Sequence, residues 1–133
     1  MRCGAGATVL FDTDIFIWAQ RGNIKAQRLM QREAERQISL QTALELLQGA
    51  RNAEEQRQSR LFLAQYHFTV LPLTEAVGHR ALIYVEQYGL SHGLRASDAL
   101  IAATAVEDSL PLASGNAKHF RPIKDLDLVV FKP

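Results

Sequence analysis

Residues Thr8 to Trp18 read TVLFDTDIFIW, a run that few folds can accommodate. Thr8–Phe11 is short, apolar and leans toward β-branched residues. That pattern suits a strand buried on both faces of a parallel sheet covered by helices. It breaks off at Asp12, Thr13 and Asp14. The apolar Ile15–Ala19 follows at once and leaves no room for another paired strand. The order is therefore strand, carboxylate, helix. In open α/β sheets, ligands sit in the crevice beyond the carboxyl ends of the strands, and Asp12 stands at such an end. A carboxylate where the chain leaves the core is costly unless it is hydrated, hydrogen-bonded or paired with a cation.

The remaining chain alternates in the same way. Arg21-Gly22-Asn23 is a break, and a helix is expected from Ile24 to Arg36. Arg21, Lys25, Arg28, Arg32 and Arg36 recur there at spacings of three or four, on one face. Such a stripe reads first as a solvated face and second as a phosphate-tracking surface. A second strand is expected at Ile38–Leu40 and a helix from Thr42 to about Arg51, with Gly49 inside it. Asn52-x-x-Glu55 resembles a capping box for a helix to about Tyr66. A strand at Phe68–Leu71 is halted by Pro72. Thr74 caps a helix through Tyr88, with Gly89 as its C-terminal stop. After the Leu90–Arg95 connector, Ser97 opens the Ala-rich stretch DALIAATAVED. Strands at Leu110–Ala113 and Asp127–Phe131 follow, separated by a short helical turn near Lys118–Phe120. Strands alternating with helices specify an α/β fold: one domain, with a central parallel sheet of about five strands flanked by helices on both faces. Residues 8–133 form that domain, and residues 1–7, rich in Gly and Ala, are expected to be a flexible lead-in.

Bulk properties agree. With 133 residues and 47% hydrophobic side chains, one domain can bury a core without staples. Net charge is only +1, so it neither requires nor excludes a nucleic-acid partner. A single cysteine, Cys3, excludes an internal disulfide framework and fits a reducing compartment. Met1–Ala7 lacks the apolar core of a signal peptide, and no stretch is long enough to span a membrane. The expectation is a soluble, cytoplasmic protein.

Three acidic residues fall at corresponding places. Asp12 ends the first strand, Glu45 lies in the expected first turn of the helix after the second, and Asp98 lies in the first turn of the Ala-rich helix. Strand ends and helix starts share one side of a parallel sheet, so the three can converge. Singly, each has a plain explanation: a Thr42-x-x-Glu45 capping box, a helix-dipole partner at Asp98, a turn residue at Asp12. Together they form a cluster that cannot stay ionised without a cation. Oxygen donors select hard cations, Mg²⁺ with Mn²⁺ as substitute. Such an ion can generate hydroxide and neutralise a phosphoryl group during displacement.

These residues resemble the PIN-domain family, and specifically the VapC-type toxins of toxin–antitoxin pairs. The matching pieces are VLFDTDIFIW, TALELLQGARN, SDALIAATAVEDSLPLASGNAKHF and the terminal LDLVVF, in order along nearly the whole chain. The resemblance implies a metal-dependent endoribonuclease that hydrolyses RNA by metal-activated water, is inhibited by a cognate antitoxin and is a homodimer. Its acidic ligands map onto Asp12, Glu45 and Asp98, with Asp12 and Asp98 on one ion and Glu45 acting through water or at a second ion. The chain departs from the family in two places. Asp14 stands where the family commonly has Asn, and is read either as a supplementary charge or as a helix cap. The loop after the fourth strand lacks the fourth acid and offers Ser114, Asn116 and His119, with Asn116 as a neutral substitute ligand. On this reading Lys25, Arg28, Arg32 and Arg95 are candidate RNA contacts. His67, His79, His92 and His119 follow no ligand spacing, so products with a 5′-phosphate and a 3′-hydroxyl are expected.

Two rivals stand beside it. FDTDIF also resembles the first motif of haloacid-dehalogenase-like phosphatases, but Ile15-Phe16 replaces the Gly-Thr of that motif and no later acidic pair is evident. A catalytically inactive PIN domain used for RNA or protein binding would draw its support from the lost fourth acid.

Overall fold

The structure is a computed structural model that describes residues 8–33 and 35–133. The expected lead-in, residues 1–7, lies outside the described residues. Five strands, β1 (Thr8–Phe11), β2 (Glu35–Ser39), β3 (Thr69–Leu71), β4 (Leu112–Ser114) and β5 (Leu128–Val130), form one sheet. Its order is β3-β2-β1-β4-β5, and every pairing is parallel. The helices are α1 (Thr13–Gln20), α2 (Ile24–Arg32), α3 (Leu40–Gln48), α4 (Ala53–Gln65), α5 (Glu75–His92), α6 (Ala96–Glu107) and α7 (Ala117–Phe120).

Both faces of β1 are buried, as its unbroken apolar run required. Val9 and Phe11 pack with Ile15, Phe16, Leu29 and Met30 on one side, whereas Leu10 joins Ala99, Ala102, Ala103 and Leu112 on the other. Successive side chains of a strand point to opposite faces, so the run divides between two cores. The small residues of α6 let that helix lie close to α5 and the sheet. No helix among the described residues is long and apolar enough to cross a membrane.

Several expected boundaries move. The second helix stops at Arg32 rather than Arg36, because Glu33 is already extended and Glu35–Gln37 pair with Thr8–Leu10. Sheet pairing outweighs the charge periodicity, and Arg36 leaves the basic stripe. Its guanidinium donates to the carbonyls of Met30, Gln31 and Tyr66. It thereby satisfies carbonyls that the end of α2 leaves without helical partners. The third helix begins at Leu40 rather than Thr42, capped by Ser39, whose Oγ accepts from the Thr42 amide at 3.0 Å. Gly49 is the C-cap of that helix, not an interior residue. The expected stop at Gly89 is also displaced: α5 runs on to His92, and Gly93 ends it at φ +69°. The left-handed conformation falls on Gly93, and Leu90–His92, taken as connector, are helical. β4 lies two residues nearer the C-terminus at its start, at Leu112 instead of Leu110.

Candidate functional site

Parallel strands order the sheet so that β2 lies on one side of β1 and β4 on the other. The chain therefore switches direction across the β1–β4 pair, the place where a crevice opens in such sheets. Asp12 leaves the end of β1 and Ser114 ends β4. The Ser114 hydroxyl donates to Asp12 Oδ2 at 2.7 Å, across the switch point. The Thr13 amide donates to Asp12 Oδ1, also at 2.7 Å, which makes Asp12 the N-cap of α1. Asp12 is only 5% exposed. Burial, reinforced by the charges of Asp14 and Asp98, pushes its carboxyl up to about 7 despite the two hydrogen bonds.

Glu45 reaches the same crevice from α3. With the cap at Ser39, it lies in the second turn, so the expected Thr42-x-x-Glu45 capping box is absent. Its carboxylate is 3.1 Å from Thr13 Oγ1, which is also 3.3 Å from Thr42 Oγ1. A hydroxyl has one hydrogen to give, and a carboxylate is the stronger acceptor. Glu45 is thus held by a side chain of α1. Its carboxyl is raised by burial and by the Asp98 charge, against the Thr13 hydrogen bond. Asp98 occupies the first turn of α6, where the positive end of the helix dipole favours a carboxylate. Its charge acts on both Asp12 and Glu45, so the three acids share one electrostatic neighbourhood.

Asp14 is not a helix cap, because Asp12 takes that position. Asp14 Oδ2 accepts from the Gly115 amide at 2.9 Å. A Cβ on Gly115 would stand 2.7 Å from that oxygen, so the glycine makes the approach possible. Asp14 Oδ1 is buried without a hydrogen-bond partner among the described residues, and burial raises this carboxyl too. Asn116, expected as a neutral ligand, has its amide nitrogen 3.0 Å from His119 Nδ1. Its backbone amide donates to Ser114 Oγ at 2.9 Å.

Lys25, Arg28 and Arg32 are exposed on α2, which packs against α1, and Arg95 is exposed at the N-cap of α6, next to Asp98. Thr13 and Glu45 also line a groove of about 890 Å³ that runs between α1, α3 and α4, with Arg21, Arg51 and Phe62 among its walls. Sequence reasoning missed that groove, and it missed the roles of Thr13 and Ser114. Both hydroxyls were visible at strand ends, but only the order β2-β1-β4 reveals which acid each would meet. It named His119 in the loop after the fourth strand but gave it no role, and the ring lies beside Asp98.

The chain matches the PIN domain over residues 9–125. It belongs to the PIN-domain family. The Mycobacterium tuberculosis protein named Ribonuclease VapC10 is 34% identical over 122 residues, 89% of this chain and 90% of that relative. A toxin–antitoxin complex from Klebsiella pneumoniae contains a chain 28% identical, with a TM-score of 0.77 over 92% of this chain and 96% of that chain. VapBC2 of Rickettsia felis, solved with a promoter DNA fragment, superposes with a TM-score of 0.77 over 94% and 99% of the two chains. At 21% identity it bears on the fold alone. Membership of this family removes the dehalogenase-like alternative.

Proposed function

We propose that this PIN domain is the endoribonuclease toxin of a toxin–antitoxin pair, dependent on a divalent cation and held inactive by a cognate antitoxin. The observation that supports the reading is that Asp12, Glu45 and Asp98 share one electrostatic neighbourhood beside the switch point of the sheet. The 34% identity to a ribonuclease supports the RNA substrate, and the likeness to a toxin–antitoxin complex supports the antitoxin partner. A cytoplasmic location and a homodimer fit the same reading.

The residues suit a hard cation. The donors are all oxygens, one buried oxygen of Asp14 has no hydrogen-bond partner among the described residues, and the Asp12 carboxyl is raised to about 7 by burial and neighbouring charge. A carboxylate under that stress gains from a positive charge. Among the described residues no three His, Cys, Asp or Glu side chains are grouped so as to hold a metal ion, so the acids would have to draw together around one. Asp12 and Asp98 would hold it, with Glu45, and with Asp14 as the supplementary charge. Mg²⁺ or Mn²⁺ there supplies Lewis acidity toward a phosphoryl group and makes water a better nucleophile. The protein's own work is to orient the acids. Ser114 and the Thr13 amide fix the plane of Asp12, Thr13 Oγ1 holds Glu45, and α6 presents Asp98 at its N-terminus. Lys25, Arg28, Arg32 and Arg95 would meet the backbone of the RNA.

Purified protein incubated with RNA tests this directly. Internal cuts that need Mg²⁺ or Mn²⁺, stop with chelator and leave 5′-phosphates and 3′-hydroxyls are expected. Cyclic phosphates formed in the presence of chelator would exclude the mechanism. Binding without cleavage under every cation condition would leave the inactive-domain alternative standing.

A further inference from the structure

The segment from the end of β4 through α7 reaches two of the three acids by different routes. Ser114 bonds to Asp12, as described. His119, on α7, places Nδ1 3.5 Å from Asp98 Oδ2 and 3.0 Å from the Asn116 amide nitrogen. The ring is partly shielded: side-chain exposure is 30% for His119 and 15% for Asp98. Asn116 is itself anchored through its backbone amide to Ser114 Oγ. One segment thus links the partner of Asp12 to the partner of Asp98.

The chemistry of Nδ1 narrows the arrangement. If Nδ1 accepted a hydrogen bond from Asn116, its lone pair would also face a carboxylate oxygen, acceptor against acceptor. With hydrogen on Nδ1, the ring turns a donor toward Asp98 Oδ2, 3.5 Å away, and the Asn116 amide can present its oxygen to the same hydrogen. The two ends of an amide are near-isosteric, so the hydrogen-bond network decides which of them faces the ring.

We propose that His119 is a positioning residue. Its Nδ1–H, braced by Asn116, holds one oxygen of Asp98 and leaves the other for the cation of the nuclease site proposed above, on which this inference rests. Asn116 then supports a ligand instead of being one. In place of a fourth acid, this segment supplies orientation. Partners that orient metal-ligating side chains typically change affinity or activity by 10- to 100-fold when removed.

Two substitutions separate this role from plain packing. In His119→Asn the side-chain amide nitrogen falls near the place of Nδ1, whereas in His119→Gln it falls near the place of Nε2. Three readouts are taken: the ¹⁵N resonances of the His119 ring in the metal-free parent, Mn²⁺ affinity by paramagnetic resonance titration, and kcat and KM on RNA. Expected are a protonated Nδ1, Mn²⁺ affinity near the parental value for His119→Asn, and a loss of roughly tenfold or more for His119→Gln. In that second variant kcat should fall while KM for RNA holds, because RNA binding does not use the ring. A bare Nδ1 overturns the proposal, and so does equal Mn²⁺ affinity in the two variants. Thermal melts check that both fold; should either fail, the parental tautomer decides. A parent that neither binds Mn²⁺ nor cleaves RNA overturns the nuclease reading and this inference with it. Parental binding with indifferent variants overturns this inference alone.

Discussion

Asp12 carries more electrostatic strain than its surroundings relieve. Two hydrogen bonds pull its carboxyl down, yet burial beside Asp14 and Asp98 leaves it at about 7 instead of 3.8. The sign of the consequence follows from proton linkage. Between about pH 4 and 7, this group is ionised in the unfolded chain and protonated in the metal-free fold. Unfolding then releases a proton, so stability falls as pH rises through that window and levels off above it. A shift of about three units corresponds to roughly 4 kcal/mol as an upper bound. Asp14 and Glu45 are shifted the same way and add to the trend. Urea unfolding in chelator should therefore show a lower midpoint at pH 8 than at pH 5, and Asp12→Asn should flatten the difference. A midpoint that rises equally in parent and variant would mean that Asp12 is not strained. The position of Asp12 could be read from the sequence, since a strand ending in a carboxylate is a local pattern. Its hydroxyl partner could not be, because Ser114 is 102 positions away and meets it only through the sheet order.

Element boundaries were legible where a local cap sets them and obscure where pairing does. Asn52 accepts from the Glu55 amide and Thr74 from the Val77 amide, both as the sequence reading expected. In contrast, Glu35 and Arg36 continue a helical charge pattern but pair with Thr8 and Val9 of β1, and strand pairing prevails. Glycine signals named the right device at the wrong residue in α5, since Gly89 and Gly93 are about one helical turn apart and, of the two, only Gly93 adopts the left-handed conformation. Removing Arg36 from the basic stripe shortens it to Arg21, Lys25, Arg28 and Arg32, of which the last three lie on α2. If these track phosphates, Arg28→Gln with Arg32→Gln should reduce the salt dependence of RNA binding by a slope of about one to two, as two fewer counterions are released. Folding should hardly change, because exposed charges contribute little stability. Filter binding of a single-stranded RNA over a salt series reads the slope. An unchanged slope would return the stripe to a solvated face.

At the scale of the molecule, the fold collects carboxylates at one edge of its core. Asp12 leaves β1, Glu45 comes from α3 on the β2 side, and Asp98 comes from α6, whose apolar residues share the opposite core with Leu10. The site therefore depends on both layers and on the sheet between them, which couples it to global stability. Asp98→Asn tests that coupling. The substitution keeps the shape of the side chain, and its oxygen can still accept from His119. It removes the charge that raises Asp12 and Glu45. Without metal, the variant should be as stable as the parent or more so. If Mg²⁺ binds the folded state alone, it should raise the parental melting temperature. That response should shrink in the variant, and RNA cleavage should drop by at least about a hundredfold, as loss of electrostatic stabilisation in an active site does. Melts with and without Mg²⁺, run beside a cleavage assay, give both readouts. If Asp98→Asn cleaves at the parental rate and responds to Mg²⁺ as the parent does, Asp98 is a helix-start residue, and the acid cluster cannot be where the two layers of the fold meet a cation.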